Sequence, residues 1–382
     1  MDLLPFDEVF TPHKFDQLKK SGLLIDINNG TQFDSHNKSN STKPNKEFWN
    51  NKRVLITGVA GMVGSTLFDL LHSLGAEVHG TIRQQIDYPN LKNTTNLKLH
   101  KIELSNYEEV TTLIKKVEPQ VIFHQAADSF VPAGIQKPGS VVENNCVSTV
   151  NLLEAVTKND KNLEAIQLAC SSEQYGFVKS LEELPVKETN ELRPTSTYAA
   201  TKIFTENVGK SYFYSYRTPT VITRNFNQEG PRRGSQYFTS RISVQLKDCL
   251  DGKTNKLIMG NPNAVRDFNH IYDSTSAQLI AVEKCNRGEA YNICSGKGIT
   301  TGEYAKLALR ISNLEKTEMF IDKKLLRPYE RGEAVMDGII GDNTKFINQT
   351  GWHPTKTVVD IIKDSVAFYS DQLNLGGAPH QR

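Results

Sequence analysis

Charge of one sign is missing from this 382-residue chain, in which 45 Lys and Arg stand against 43 Asp and Glu for a formal net charge of +2. That balance supplies no global field to draw nucleic acid or an anionic membrane surface. Any grip on an anionic ligand has to come from locally placed Arg and Lys. Cysteine is sparse: Cys146, Cys170, Cys249, Cys285 and Cys294 are an odd number, with no Cys-x-x-Cys and no His at metal-ligand spacing. The expectation is reduced, buried thiols and no metal site. No apolar run approaches the roughly 20 residues that cross a bilayer. The start of the chain, with Asp2, Asp7 and Glu8, is unlike a secretion signal. A cytoplasmic protein without nucleic-acid or membrane partners is expected.

Apolar residues are nearly absent from 28–46, a stretch of Asn, Ser, Thr and Lys that cannot bury enough surface to offset its ordering entropy. Residues 1–50 therefore read as an extension, a short docking helix around 15–27 on a flexible tether. From Arg53 the pattern turns regular. Strands are predicted over 54–56, 77–82, 96–104, 120–124, 165–170 and 220–225, with helices over 63–74, 107–117, 140–157 and 196–216. Strands alternating with helices at this spacing predict an α/β fold, a doubly wound parallel sheet covered on both faces. Residues 51–227 form this dinucleotide-binding unit. Beyond them lies a smaller, mainly substrate-binding α/β lobe over 228–382, with part of 260–285 returning to the sheet.

The first strand runs into Thr57-Gly58-Val59-Ala60-Gly61-Met62-Val63-Gly64. Gly58 permits a tight turn, Gly61 lets backbone approach a pyrophosphate, and Gly64 lets the helix pack on the strand, with free N–H groups at the helix start. The second strand ends at Arg83 rather than at the acid that would take the 2′-hydroxyl of NAD. An arginine there pairs with a 2′-phosphate, which favours NADP, with NAD as the alternative. Tyr198 and Lys202 stand at i and i+4 on one helix face. The ammonium favours the phenolate, so Tyr198 can take or return a hydroxyl proton while hydride moves. The fifth strand ends in Cys170-Ser171-Ser172-Glu173, at the carboxyl edge where open parallel sheets bind ligands.

Together with His124-Gln125-Ala126-Ala127 and Asn145, these motifs resemble extended short-chain dehydrogenases/reductases acting on nucleotide sugars, over about residues 52–354. Three stretches are similar to GDP-mannose 4,6-dehydratases. They are 225–234 with 238–242, the 260–268 loop, and Arg327-Pro328-Tyr329-Glu330 with 340–342 and 351–354. The resemblance implies cofactor contacts at Thr57, Gly58, Gly61, Met62, Val63, Gly64, Arg83, Glu103, Leu104, Gln125, Ala126 and Ala127, together with Tyr198 and Lys202. It implies catalysis by Ser171, Glu173, Tyr198 and Lys202. The substrate, a nucleotide-diphosphate sugar, would meet Asp128, Ser129, Ser172, Asn227, Arg232, Arg241, Arg266, Arg327 and Glu330. The implied reaction oxidises the sugar at C4, removes the C5 proton with Glu173, expels the C6 hydroxyl as water and returns the hydride to C6.

Several positions depart from the pattern. Asp128 replaces an uncharged amide, Ser171 a threonine, Glu103 an aspartate and Arg241 a lysine. The second arginine after Arg83, which reaches a neighbouring subunit's cofactor in those relatives, is missing. Residues 291–297 look more like the related 4-keto-sugar reductases. A 4-keto reductase or 4-epimerase, which would not need Glu173, thus stands beside the dehydratase. A third reading is an NADP-sensing protein without catalysis. The helices over 140–157 and 196–216 are the pair with which relatives dimerise, so a homodimer or homotetramer is expected.

Overall fold

A computed structural model describes residues 3–28, 41–84, 88–91, 95–326 and 338–374. Seven parallel strands form the central sheet, labelled in chain order β1 (Arg53–Thr57), β2 (Glu77–Ile82), β3 (Leu97–Lys101), β4 (Val121–His124), β5 (Ala165–Ser171), β6 (Thr220–Asn225) and β7 (Ala290–Ile293). Their order across the sheet is β7-β6-β5-β4-β1-β2-β3. The chain therefore reverses direction between β1 and β4, the switch point where doubly wound sheets open a crevice. The seventh strand goes beyond the six predicted. It lies past the first sixty residues of the second lobe, where the alternation of strand and helix is already lost.

Alternating side chains explain why both faces are covered. Val54 and Ile56 point into one apolar layer with Leu67, Phe68, Leu71 and Leu279. Leu55 points into the other, with Val110, Leu113, Ile114, Leu152 and Leu153. Each fully buried Leu or Ile contributes roughly 1.5–3 kcal/mol of transfer free energy. The helix Tyr107–Val117 shows the local logic. Asn106 caps it by accepting from the Glu108 and Glu109 N–H groups, Val110, Leu113, Ile114 and Val117 line its buried face, and Glu118 ends it in a left-handed conformation before Pro119. The helix Ile271–Lys284 returns to the sheet and packs on the helix Met62–Ser73.

The periodicity predicts one continuous helix over 140–157. Instead, helices Pro138–Val142 and Ser148–Asn159 flank a π-helical turn over Glu143–Val147. Such single wide turns concentrate at functional sites. The second lobe has its own core, built from Ile242, Leu246, Leu257, Phe268, Tyr304 and Ile361. Phe6 and Phe10 of the extension belong to that core, and Trp49 is fully buried against the sheet. The described parts of the extension are thus packed structure, while residues 29–40 of the expected tether lie outside the described residues. Among the described residues, no helix is long and apolar enough to cross a membrane, and the five cysteines are free.

Candidate active site

At the switch point lies a cavity of about 750 Å3. Gly58, Gly61, Met62, Val63, Gly64, Arg83, Glu103, Leu104, Gln125, Ala126, Ala127, Asp128, Ser129 and Arg232 all line it, so most of the expected cofactor contacts converge. Thr57 sits just beneath. Its hydroxyl accepts from the Gln125 and Ala126 N–H groups, both at 3.1 Å, and bonds His124 Nδ1 at 2.9 Å.

The glycines test whether this hollow fits a dinucleotide. Gly58 has φ +68°, and a Cβ on it would lie 2.9 Å from Ala126 Cα. A Cβ on Gly64 would lie 2.5 Å from the Gly58 carbonyl oxygen, so both positions require glycine for packing. Gly61 differs: its Cβ would meet nothing nearer than 3.5 Å and would stand in the cavity mouth instead. As N-cap of the helix Met62–Ser73, Gly61 also lacks a capping side chain. The first-turn N–H groups are left for an anion, and the residues present fit a pyrophosphate.

Arg83 follows β2 directly, with its guanidinium 3.2 Å from Asp128 across the hollow. The second Asp128 oxygen accepts from Asn144 Nδ2 at 2.5 Å, and the Asp128 N–H donates to Asn145 Oδ1 at 2.8 Å. Asn145 Nδ2 in turn donates to the Thr201 hydroxyl at 3.0 Å. The π-helical turn thus ties the cavity wall to the helix Thr197–Tyr216, which carries Tyr198 and Lys202.

Ser171 closes β5 and caps the short turn Ser172–Gln174, accepting from the Glu173 N–H at 3.2 Å. Its hydroxyl also lies close enough to the Tyr198 phenol to act on its ionisation. Serine, tyrosine and the Glu173 backbone therefore meet at one point, and the Ser172 backbone lies beside them. Burial pushes the Tyr198 phenol above its ordinary range, with the Ser171 hydroxyl pulling the other way. The resting side chain is neutral. Burial lowers the Lys202 ammonium from its ordinary value. Lys202 Nζ lies 5.8 Å from the Tyr198 ring centroid and donates to the Ala169 carbonyl at 2.6 Å. That hydrogen bond, absent from the sequence reading, fixes the cation below the phenol rather than on it.

Beneath these groups lies a network that periodicity does not reveal. Arg224 on β6 forks onto Glu206 at 2.7 and 2.8 Å, and Gln174 Nε2 donates to the same carboxylate at 3.0 Å. Burial would raise the Glu206 carboxyl, but Arg224 and Lys210 override it and hold it below its ordinary value. The fork locks β6 to the Tyr198 helix, and the Gln174 bond ties the Ser171 turn to the same carboxylate. Glu206 stands one helical turn past Lys202, a spacing visible in the sequence, but its partner on β6 is not. Asp267 is a second missed anchor, accepting from the Ser295, Gly296 and Gly341 N–H groups.

The expected substrate residues are less tightly gathered. Asn227 pairs in register with Phe268, two residues past Arg266, and Arg266 donates to the Val265 carbonyl at 2.9 Å. Arg232 is ion-paired to Asp69 at 2.6 Å, on the cofactor-side helix. Ser129 bonds the Tyr237 hydroxyl at 2.9 Å, a partner not anticipated. Arg241 is exposed on the helix Phe238–Leu250. Arg327 and Glu330 lie outside the described residues.

The glycine cradle, the Ser171–Tyr198–Lys202 cluster and most of the second lobe fall within residues 55–365, which the family model described as GDP-mannose 4,6 dehydratase matches. The chain belongs to that family. GDP-mannose 4,6-dehydratases are enzymes, and one from Vibrio cholerae is 29% identical over 360 residues, covering 82% of this chain and 93% of its own. Solved structures share the fold. A UDP-glucose 4-epimerase from Thermotoga maritima, solved with UDP-glucose, aligns with a TM-score of 0.74 at 24% identity. It covers 84% of this chain and 99% of its own. A Pseudomonas aeruginosa protein complexed with NADPH aligns at 0.71 and 22% identity, with the same coverage. Within the GDP-mannose 4,6-dehydratase family, the 1–50 segment falls outside the matched region.

Proposed function

We propose that this chain is a nucleotide-sugar 4,6-dehydratase that keeps NADP(H) bound and converts GDP-mannose, or a related GDP-sugar, to its 4-keto-6-deoxy form. The observation that carries the reading is Glu173. Its backbone N–H donates to the Ser171 hydroxyl, which lies beside the Tyr198 phenol. A carboxylate is thereby attached at the point where proton transfer takes place. A reductase or epimerase has no need of it.

The nicotinamide supplies reversible hydride acceptance. Tyr198 takes the C4 hydroxyl proton as that carbon is oxidised, with Ser171 holding the reacting oxygen and Lys202 supplying positive charge nearby. The new ketone acidifies C5, and Glu173 removes that proton. Glu173 then passes it to the departing C6 hydroxyl, which leaves as water. Tyr198 returns its own proton to C5 as C6 is reduced, so the enzyme ends as it began. Arg266 and Asn227 would meet the diphosphate, for which a guanidinium group suits the geometry. Two copies would meet through the helices Pro138–Val142 to Ser148–Asn159 and Thr197–Tyr216.

The test is Glu173→Gln with GDP-mannose and mass spectrometry. The native enzyme yields a product lighter by one water without net NADPH, and the variant loses about 100-fold or more of kcat. Full activity in the variant, or a product of unchanged mass, would overturn the dehydratase reading in favour of reduction or epimerisation.

A further inference from the structure

We propose that residues 3–28 form an intramolecular clamp that positions the Arg266 loop for the nucleotide end of the substrate, an inference that rests on the nucleotide-sugar reading above. The extension grips that loop from two sides. On one side, Asn263 spends its whole side chain on the extension. Its Oδ1 accepts from the Thr11 N–H at 2.9 Å and the Thr11 hydroxyl at 3.2 Å, and its Nδ2 donates to the Val9 carbonyl at 2.9 Å. On the other side, Leu24 bridges to Gly298, with the Ile25 N–H donating to the Gly298 carbonyl and the Gly298 N–H to the Leu23 carbonyl, both at 2.8 Å.

Gly298 leads directly into Ile299–Thr300, the strand paired antiparallel with Val265–Arg266. The Thr301 and Gly302 N–H groups then donate to the Ala264 and Pro262 carbonyls. Hydrogen bonds thus run unbroken from the extension to the backbone of Arg266. Two glycines allow this close approach. A Cβ on Gly302 would lie 2.8 Å from the Phe10 ring, and one on Gly298 2.9 Å from Leu24. An ion pair reinforces the contact, Lys19 to Glu303 at 2.6 Å. Leu3–Pro5 adds a further strand to Glu318–Asp322, which pairs with Lys256–Met259, the strand that enters the loop. An arginine whose backbone is fixed in advance loses less freedom on binding an anion.

Truncating the extension would expose Phe6 and Phe10 and confuse positioning with folding. The full chain carrying Asn263→Ala removes the latch alone, and Thr11→Val removes one of its bonds as a milder version. Hydrogen–deuterium exchange, calorimetric binding of GDP and fluorescence binding of NADPH are measured on native enzyme, both variants and Arg266→Ala. In Asn263→Ala, exchange over 264–266 rises and GDP binding weakens by about tenfold, while NADPH affinity stays at the native value. Thr11→Val shows the same pattern, smaller. The clamp is overturned if Asn263→Ala leaves exchange and GDP binding unchanged while Arg266→Ala weakens GDP binding. Native GDP binding in Arg266→Ala would instead remove Arg266 from the nucleotide site, so the reading beneath the proposal fails and the proposal with it.

Discussion

At the scale of single residues, the site is held by polar groups whose partners come from distant strands. His124 is buried with one ring nitrogen on Thr57 and the other 3.1 Å from the Thr149 hydroxyl. Burial, with Lys202 nearby, pushes its pKa down to about 3. The unfolded chain then binds a proton between pH 6.5 and 3 that the folded protein excludes, so stability is present above that window and falls as pH drops through it. Comparing urea unfolding of native protein and His124→Asn from pH 6 to 4, the native slope should be steeper by about 1.4 kcal/mol per pH unit. Equal slopes would mean that the imidazole titrates freely. That Ser171, Tyr198 and Lys202 come together is legible in the sequence, from the i, i+4 spacing of the pair and the end of the fifth strand. The supports are not: Glu206–Arg224 and Asn145–Thr201 join side chains that only folding brings together, and no periodicity encodes such a pairing.

Elements were more legible than the contacts between them. Strands such as β1 and β4 follow from short apolar runs bounded by turns, because a strand buried on both faces must be apolar along its length. β7 reads less clearly, since Tyr291 and Asn292 interrupt the apolar run while Asn292 is spent internally on the Val186 and Asp342 carbonyls. The π-helical turn was illegible because one extra residue in a helix leaves the apolar spacing almost unchanged. At the first turn, the glycines separate into two classes by what surrounds them. Gly61→Ala should keep the native melting temperature, since its Cβ meets no clash, yet weaken NADPH binding by about tenfold or more through intrusion on the pyrophosphate. Fluorescence titration beside thermal melting checks this, and unaltered NADPH affinity would place the phosphates elsewhere.

For the whole molecule, the helical segments carrying exposed Ile135, Val142 and Val147 pack against the helix Thr197–Tyr216, which itself exposes Phe204 and Tyr214. Apolar side chains gathered in this way mark an association surface. Light scattering at micromolar protein should give a dimer, converted toward monomer by Val147→Glu with Phe204→Glu; a native monomer would sink the expectation. The doubly wound fold was legible from alternation alone, but the packing of the extension was not. Its apolar residues are too few and too scattered to announce a partner so far along the chain. That partnership also orders events in time. Leu4 pairs with Ile321, and Phe6 and Phe10 enter a core completed by Ile361 and Ile362. Contacts so far apart cannot close before both segments exist, so Phe6 and Phe10 stay uncovered until the helix carrying Ile361 and Ile362 has been made. Contacts so distant in sequence form slowly. The second lobe therefore completes its core only when its most distant segments have met.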